Sequence, residues 1–154
     1  MTRKQQENEI NENHASERLH KRIMISVRAP TSKNSKKTLS YAIQLAKLTG
    51  ADVYIIHVEP KEIQVDEKEI KEKIISFVTE IKNKVKYEGN IKVRIMRGET
   101  VDCIRAADRE LKPDLLILGS HKRSFLEDVI GGLLNLDITE EITRNVSCSV
   151  LIVR

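Results

Sequence analysis

The sequence predicts an α/β fold: an open sheet of five parallel strands in the order 3-2-1-4-5, with helices on both faces. Three observations predict it. Five short β-rich runs alternate with helix-length segments, and parallel strands require connections of that length. Most of the runs are apolar on both faces, as strands covered by helices must be. The intervening segments place apolar residues at spacings of three and four, so each has one face to lay on the sheet. With this order the winding reverses between the first and fourth strands, and ligands of such sheets bind at that point. The loops after Val27 and Leu118 face each other there.

The elements follow in order. Ile23 to Val27 is a short run apolar on both faces, as a central strand needs. Ala29 and Pro30 open a breaker loop, and a helix runs from about Ser35 to Leu48. Its inner face is Leu39, Ala42, Ile43 and Ala46, and Gly50 is its stop. Val53 to Val58 is the second strand, closed by Pro60. Asp66 and Glu69 have the spacing of a capping box. They open a long helix with a core stripe of Ile70, Ile74, Phe77, Val78, Ile81 and Val85. Ile91 to Met96 alternates apolar and charged residues, which places this third strand at an edge with one wet face. Thr100 is the expected cap of the next helix, with Val101, Ile104, Ala107 and Leu111 inward and Pro113 as its limit. Leu115 to Leu118 is the fourth strand. Asp137 and Glu140 repeat the capping-box spacing before a helix to about Asn145, and Ser149 to Val153 is the fifth strand.

A chain of 154 residues is expected to form one domain with a proper core. Residues 1–22 are polar, with almost nothing to bury, and are read as an extension outside the fold; residues 23–154 form the domain. Aromatic residues make up only 3% and Trp is absent, so the core must be aliphatic and a base-stacking surface is not expected. The net charge of +4 is spread along the chain, without the basic face of a nucleic-acid binder, so nucleic acid is an unlikely partner. Cys103 and Cys148 form no CxxC pair, and His14, His20, His57 and His121 show no ligand spacing with them. No metal site is expected, and both cysteines read as small core residues in a reducing compartment. The first residues lack the apolar core of a secretion signal, and the apolar runs are far too short for a membrane span. A cytoplasmic location is expected.

The stretch from Asp114 to Ser124, then Gly131 and Gly132, then Cys148 to Arg154, carries the most information. It reads as a buried strand, a glycine-started loop rich in basic and hydroxyl groups, a helix and a final strand. Open α/β sheets build anion or nucleotide sites in this way. Segments 23–27, 42–46, 51–58, 97–99, 113–121 and 145–153, in that order and spacing, resemble the universal stress protein family. The resemblance covers nearly all of residues 23–154. It implies an adenine nucleotide alpha hydrolase-like, Rossmann-like fold and a homodimer paired through strand 149–153. It implies ATP or another adenine nucleotide as ligand, and a non-catalytic ligand-sensing or interaction role in stress response.

Carried over residue by residue, the resemblance implies a nucleotide site of Val27, Arg28, Val58, Leu118, Gly119, His121, Lys122, Arg123, Gly132, Asp137, Ile138 and Thr139. Several of these depart from the family's pattern. Nucleotide-binding members end the first strand with an acid, where this chain has Arg28 followed by Ala29 and Pro30. The first glycine of the phosphate signature matches Gly119, and Lys122 replaces the second. Counting forward, the third is Gly132, followed by Leu133 instead of a hydroxyl. Counting back from the last strand, Leu136 and Asp137 take the Gly-Ser place, with an insertion around Gly131 to Asn135. Glycines let backbone amides approach phosphate, and a lysine side chain at position 122 obstructs that approach. Asp137 as an N-cap puts a carboxylate where phosphate would sit. Lys122, Arg123 and Arg28 bring compensating positive charge. Two readings stay open: a modified anionic-ligand site, or a solvated loop with Arg28 as a salt-bridge partner. The latter is a degenerate domain acting through dimer and partner contacts alone.

Other chemistry ranks lower. Ser120 and His121 are sequence neighbours without a Gly-x-Ser-x-Gly elbow, so a hydrolase triad is not expected. His57 reads as a packed or capping histidine, and Asp52 and Asp114 as turn residues at the far end of the sheet. A slow nucleotide hydrolase ranks last because no general base is evident. No Walker motif is present. The Lys- and Glu-rich helix from Glu67 to Glu88 reads as a solvated face with i,i+4 pairs.

Overall fold

The computed structural model describes residues 20–28, 32–64, 66–120 and 138–154. Its elements are β1 (Arg22–Val27), α1 (Lys33–Thr49), β2 (Asp52–Glu59), α2 (Glu67–Val85), β3 (Ile91–Arg97), α3 (Thr100–Leu111), β4 (Leu115–Gly119), α4 (Ile138–Asn145) and β5 (Ser149–Val153). The five strands form one sheet in the order β3-β2-β1-β4-β5, all parallel, as the sequence predicts. Ile25 at its centre lies opposite Ile55 of β2 and Ile117 of β4.

Two aliphatic cores explain the doubly apolar strands. Ile23, Ile25, Ile55 and Ile117 point to one face, where Leu39 and Ile43 of α1 and Ile74 and Val78 of α2 cover them. Met24, Ile56, Leu116 and Leu118 point to the other, under Val101 and Ile104 of α3 and Ile142 of α4. Alternate residues of one strand thus serve opposite cores. β3 is an edge strand, as its alternation predicts: Ile91, Val93 and Ile95 pack on the first core. Arg94 makes a two-pronged pair with Glu110 at 2.7 and 2.8 Å.

α2 stops at Val85, before the expected Glu88, because Lys86 turns into the left-handed conformation with φ 56°, and three helix starts also depart from expectation. α1 starts at Lys33, two residues before the predicted Ser35, because Ser32 caps it by accepting from Ser35 N at 3.1 Å. Asp66 caps α2, accepting from Lys68 N at 2.9 Å. Glu69 does not complete the capping box, since its carboxylate takes Lys73 Nζ at 2.6 Å one turn ahead. The cap of α3 is Glu99, not Thr100: Glu99 Oε2 accepts from Asp102 N at 3.0 Å, and Thr100 is the first helical residue. A glutamate reaches the third amide as a shorter capping side chain would. The predicted stop at Gly50 holds, in the left-handed conformation with φ 69°. Asp137, the predicted cap of α4, lies outside the described residues.

Two carboxylates tie the strand starts. Asp114 Oδ2 accepts from Lys21 N at 2.7 Å and Arg22 N at 2.8 Å, at the end of the sheet away from the switch point. Burial opposes its ionisation, but these amides hold the carboxyl below its usual range. On the α3 face, buried Asp108 Oδ2 accepts from Ser147 N at 2.9 Å and Ser147 Oγ at 2.8 Å, fixing the turn into β5. Among the described residues no helix is long and apolar enough to cross a membrane.

Two weak acids, buried Tyr87 and half-buried Cys148, make the fold sensitive to alkali. Burial, then the Asp108 carboxylate, push the Cys148 thiol up to about 12. Burial, then Asp52, push Tyr87 up to about 12, its hydroxyl donating to Ala51 O at 2.5 Å. The unfolded chain releases these protons first, at an ordinary 9.0 for the thiol and 10.0 for the phenol. Between those values and about 12 the folded chain still holds them, so stability falls as pH rises through this window. The urea midpoint is expected to drop steadily above pH ~9 and to drop less steeply in a Tyr87→Phe, Cys148→Ala double variant. Equal slopes would contradict the assignment.

Candidate functional site

The sheet reverses its winding between β1 and β4, which are hydrogen-bonded neighbours. The last paired residues are Ser26 and Leu118, so Val27 and Gly119 stand side by side at the carboxyl ends. Val27 is buried in the core beneath α1, and its carbonyl accepts from His57 Nδ1 at 2.7 Å. Arg28 is exposed just beyond it, with no ion pair among the described residues. The expectation that Arg28 is a salt-bridge partner is therefore not met within them. Val58 follows His57 on β2, half-buried on the α3 face opposite Met96. Leu118 is buried on that same face.

The structure thus brings Val27, Arg28, Leu118 and Gly119 to one rim, with Val58 on the adjoining strand. Ile138 and Thr139 form the start of α4; Ile138 is exposed. His121, Lys122, Arg123, Gly132 and Asp137 lie outside the described residues, as does the loop at 29–31.

Sequence reasoning missed the residue that bridges the rim. Asn34, in the first turn of α1, donates from Nδ2 to Ser120 O at 2.6 Å. Ser120 N in turn donates to Val153 O at 2.8 Å. Lys37 Nζ donates to the carbonyl of Arg154. The first residue after β4 is therefore held from α1 on one side and from β5 on the other. A helix starting at Ser35 has Asn34 in the preceding loop; the Ser32–Ser35 spacing is the signal that moves it into the first turn.

Gly119 also gains a second role. A Cβ there would lie 2.7 Å from Thr38 Oγ1 and 3.0 Å from Asn34 Nδ2. The glycine is required by the close approach of α1, whatever the crevice holds. Thr38 cannot retreat, being buried and donating its hydroxyl to Asn34 O at 2.9 Å.

The rim is suited to negative charge. Arg28 is exposed beside it, and the first turn of α1 contains no acidic residue. His57 is not placed for proton transfer to a ligand. It is buried, with Nδ1 on Val27 O and Nε2 2.6 Å from Glu59 Oε1, as expected of a packed histidine. Among the described residues no three His, Cys, Asp or Glu side chains gather as a metal site.

A family model described as "Universal stress protein family" matches residues 20–154. Solved structures repeat the fold at low identity. A universal stress protein in complex with cAMP is 20% identical, with TM-score 0.62, over 88% of this chain and 97% of the other. A universal stress protein from Archaeoglobus fulgidus is 17% identical, with TM-score 0.65, over 87% and 93%. One from the same organism in complex with dAMP is 16% identical, with TM-score 0.63, over 88% and 99%. A comparison with curated proteins finds no match.

Proposed function

This chain belongs to the universal stress protein family, and from that premise we propose that it is a non-catalytic ligand-sensing or interaction protein of the stress response, carrying a modified, weak site for an adenine nucleotide. The observation that carries the reading is the switch point between β1 and β4, where Arg28 and the acid-free start of α1 favour an anion. The structural neighbours in complex with cAMP and dAMP support the ligand class. The proposed contacts are Val27, Arg28 and Val58 on one side and Leu118, Gly119, His121, Lys122, Arg123 and Gly132 on the other. Asp137, Ile138 and Thr139 complete them. The cytoplasm is the proposed location, and two free cysteines suit such a reducing compartment.

A second reading is favoured by the Asn34–Ser120 bridge, which occupies the rim with protein contacts. In it the domain binds no nucleotide and works through dimer and partner contacts. Mass analysis of small molecules released on denaturing the purified protein separates the two. Adenine nucleotide favours sensing, and its absence favours the interaction role. Turnover of labelled ATP would instead revive the hydrolase.

The proposed homodimer pairs β5 with β5. That strand ends the sheet and lacks the charged residues that usually protect edges, and Ile152 is 42% exposed on it. Sedimentation at micromolar concentration is expected to give twice the 17.6 kDa chain mass. An Ile152→Lys variant should shift toward the monomer. A clean monomer for the unmodified chain would contradict the pairing.

A further inference from the structure

We propose that the groove between α1 and α2 docks an acidic, amphipathic helical segment of a protein partner. The groove holds about 700 Å³ and lies open between the two helices. Its apolar side chains are Phe77, Ile81 and Val85 of α2 and Leu48 of α1. Leu48 is 84% exposed at one end, and Tyr41 is 47% exposed on the adjoining face of α1. Leu48 extends the apolar lining of the trough to the surface, so that the two together present one continuous apolar strip.

Charge selects the partner. α1 contains Lys33, Lys36, Lys37 and Lys47 and no acidic residue. Lys36, Lys47 and Lys84 stand on the walls of the groove against one acid, Glu80. The Lys36 ammonium lies 5.1 Å from the centre of the Phe77 ring, so positive charge sits directly on the apolar lining. Lys47 Nζ donates to Val85 O at 2.7 Å, which fixes the far end. Lys84 has no hydrogen-bond or ion partner among the described residues. A basic segment would be repelled here, whereas an acidic one meets lysines on both walls.

Shape selects a helix. From Lys36 to Leu48 α1 rises roughly 18 Å, about three turns, enough to seat an apolar stripe at i, i+3, i+4 and i+7, itself about 11 Å long, laid along the groove. An open trough buries too little of a small ligand. A flat bilayer would reach the jutting Leu48 and Tyr41 but not the lining between the helices. The proposal stands independently of whether the β1–β4 crevice binds nucleotide.

The test uses the full chain and a fluorescein-labelled helical peptide of about 14 residues, with leucines at i, i+3, i+4 and i+7 and glutamates flanking them. Fluorescence anisotropy is expected to show saturable binding that weakens with added salt. Lys84→Glu and Leu48→Asp, both at exposed positions, should each weaken it on the order of tenfold. Arg109→Glu, on the opposite face of the sheet, should leave it unchanged. Far-UV circular dichroism checks that each variant is folded. Equal binding of a composition-matched scrambled peptide, or of the same peptide with lysines for glutamates, would overturn the proposal. So would the absence of peptide binding together with co-sedimentation on phosphatidylglycerol vesicles, which would assign the face to anionic membranes.

Discussion

Replacing Gly119 with Ala is expected to destabilise the domain by about 1–3 kcal/mol, the usual cost of overpacking. The added Cβ would sit 2.7 Å from Thr38 Oγ1, inside any normal contact. That hydroxyl is on a short, buried side chain and is committed to Asn34 O, so relief must come from α1 moving away from β4. Such a movement stretches the 2.6 Å bond from Asn34 to Ser120 as well. Urea unfolding measures the loss directly. A Gly119→Ala, Thr38→Ala double variant should recover part of it, because the second change removes the colliding oxygen. Lack of recovery, or an alanine variant as stable as the parent, would show that the glycine serves the loop and not the helix.

Asp108→Ala is expected to cost a similar amount, about 1–3 kcal/mol, by leaving the amide and hydroxyl of Ser147 without their acceptor. Asp108 is 3% exposed but Ser147 lies at the surface, so water partly replaces the lost acceptor and the loss should fall toward the lower end of that range. Asp108→Asn keeps one carbonyl oxygen for Ser147 and should lose less. The same substitutions carry a second signature. Asp108 is one of the causes that raise the Cys148 thiol, after burial, so removing its charge should speed labelling of Cys148 at alkaline pH. Unchanged stability together with unchanged labelling would mean that the β5 turn is held by something else.

The architecture was legible because each strand serves two cores. Runs such as Ile23 to Val27 and Leu115 to Leu118 are apolar at every position that faces a helix, and the segments between them bring single apolar stripes. The alternation in β3 identified an edge for the same reason. The helix starts were less legible, because capping is decided by which of several adjacent oxygens reaches a free amide. Glu99 takes the place expected of Thr100, and Ser32 starts α1 ahead of Ser35. At the crevice, sequence spacing located the rim residues Val27, Arg28, Leu118 and Gly119. It could not reveal Asn34, whose partner Ser120 lies 86 positions away and is reached only once α1 has docked beside β4. Nor could it reveal that Gly119 has a packing reason to exist alongside any phosphate-binding one.

The central claim, a nucleotide site weakened by its own sequence, is tested most directly by calorimetric titration of ATP into the unmodified chain and into a Lys122→Gly, Leu136→Gly, Asp137→Ser variant. Serine at 137 lacks the carboxylate but has an oxygen of the kind that caps helices, and the two glycines remove side chains that would keep backbone amides from phosphate. The expected result is weak or undetectable binding by the unmodified chain and a clear gain in affinity for the variant. Tight ATP binding by the unmodified chain would contradict the claim and point to Lys122 and Arg123 as direct phosphate ligands.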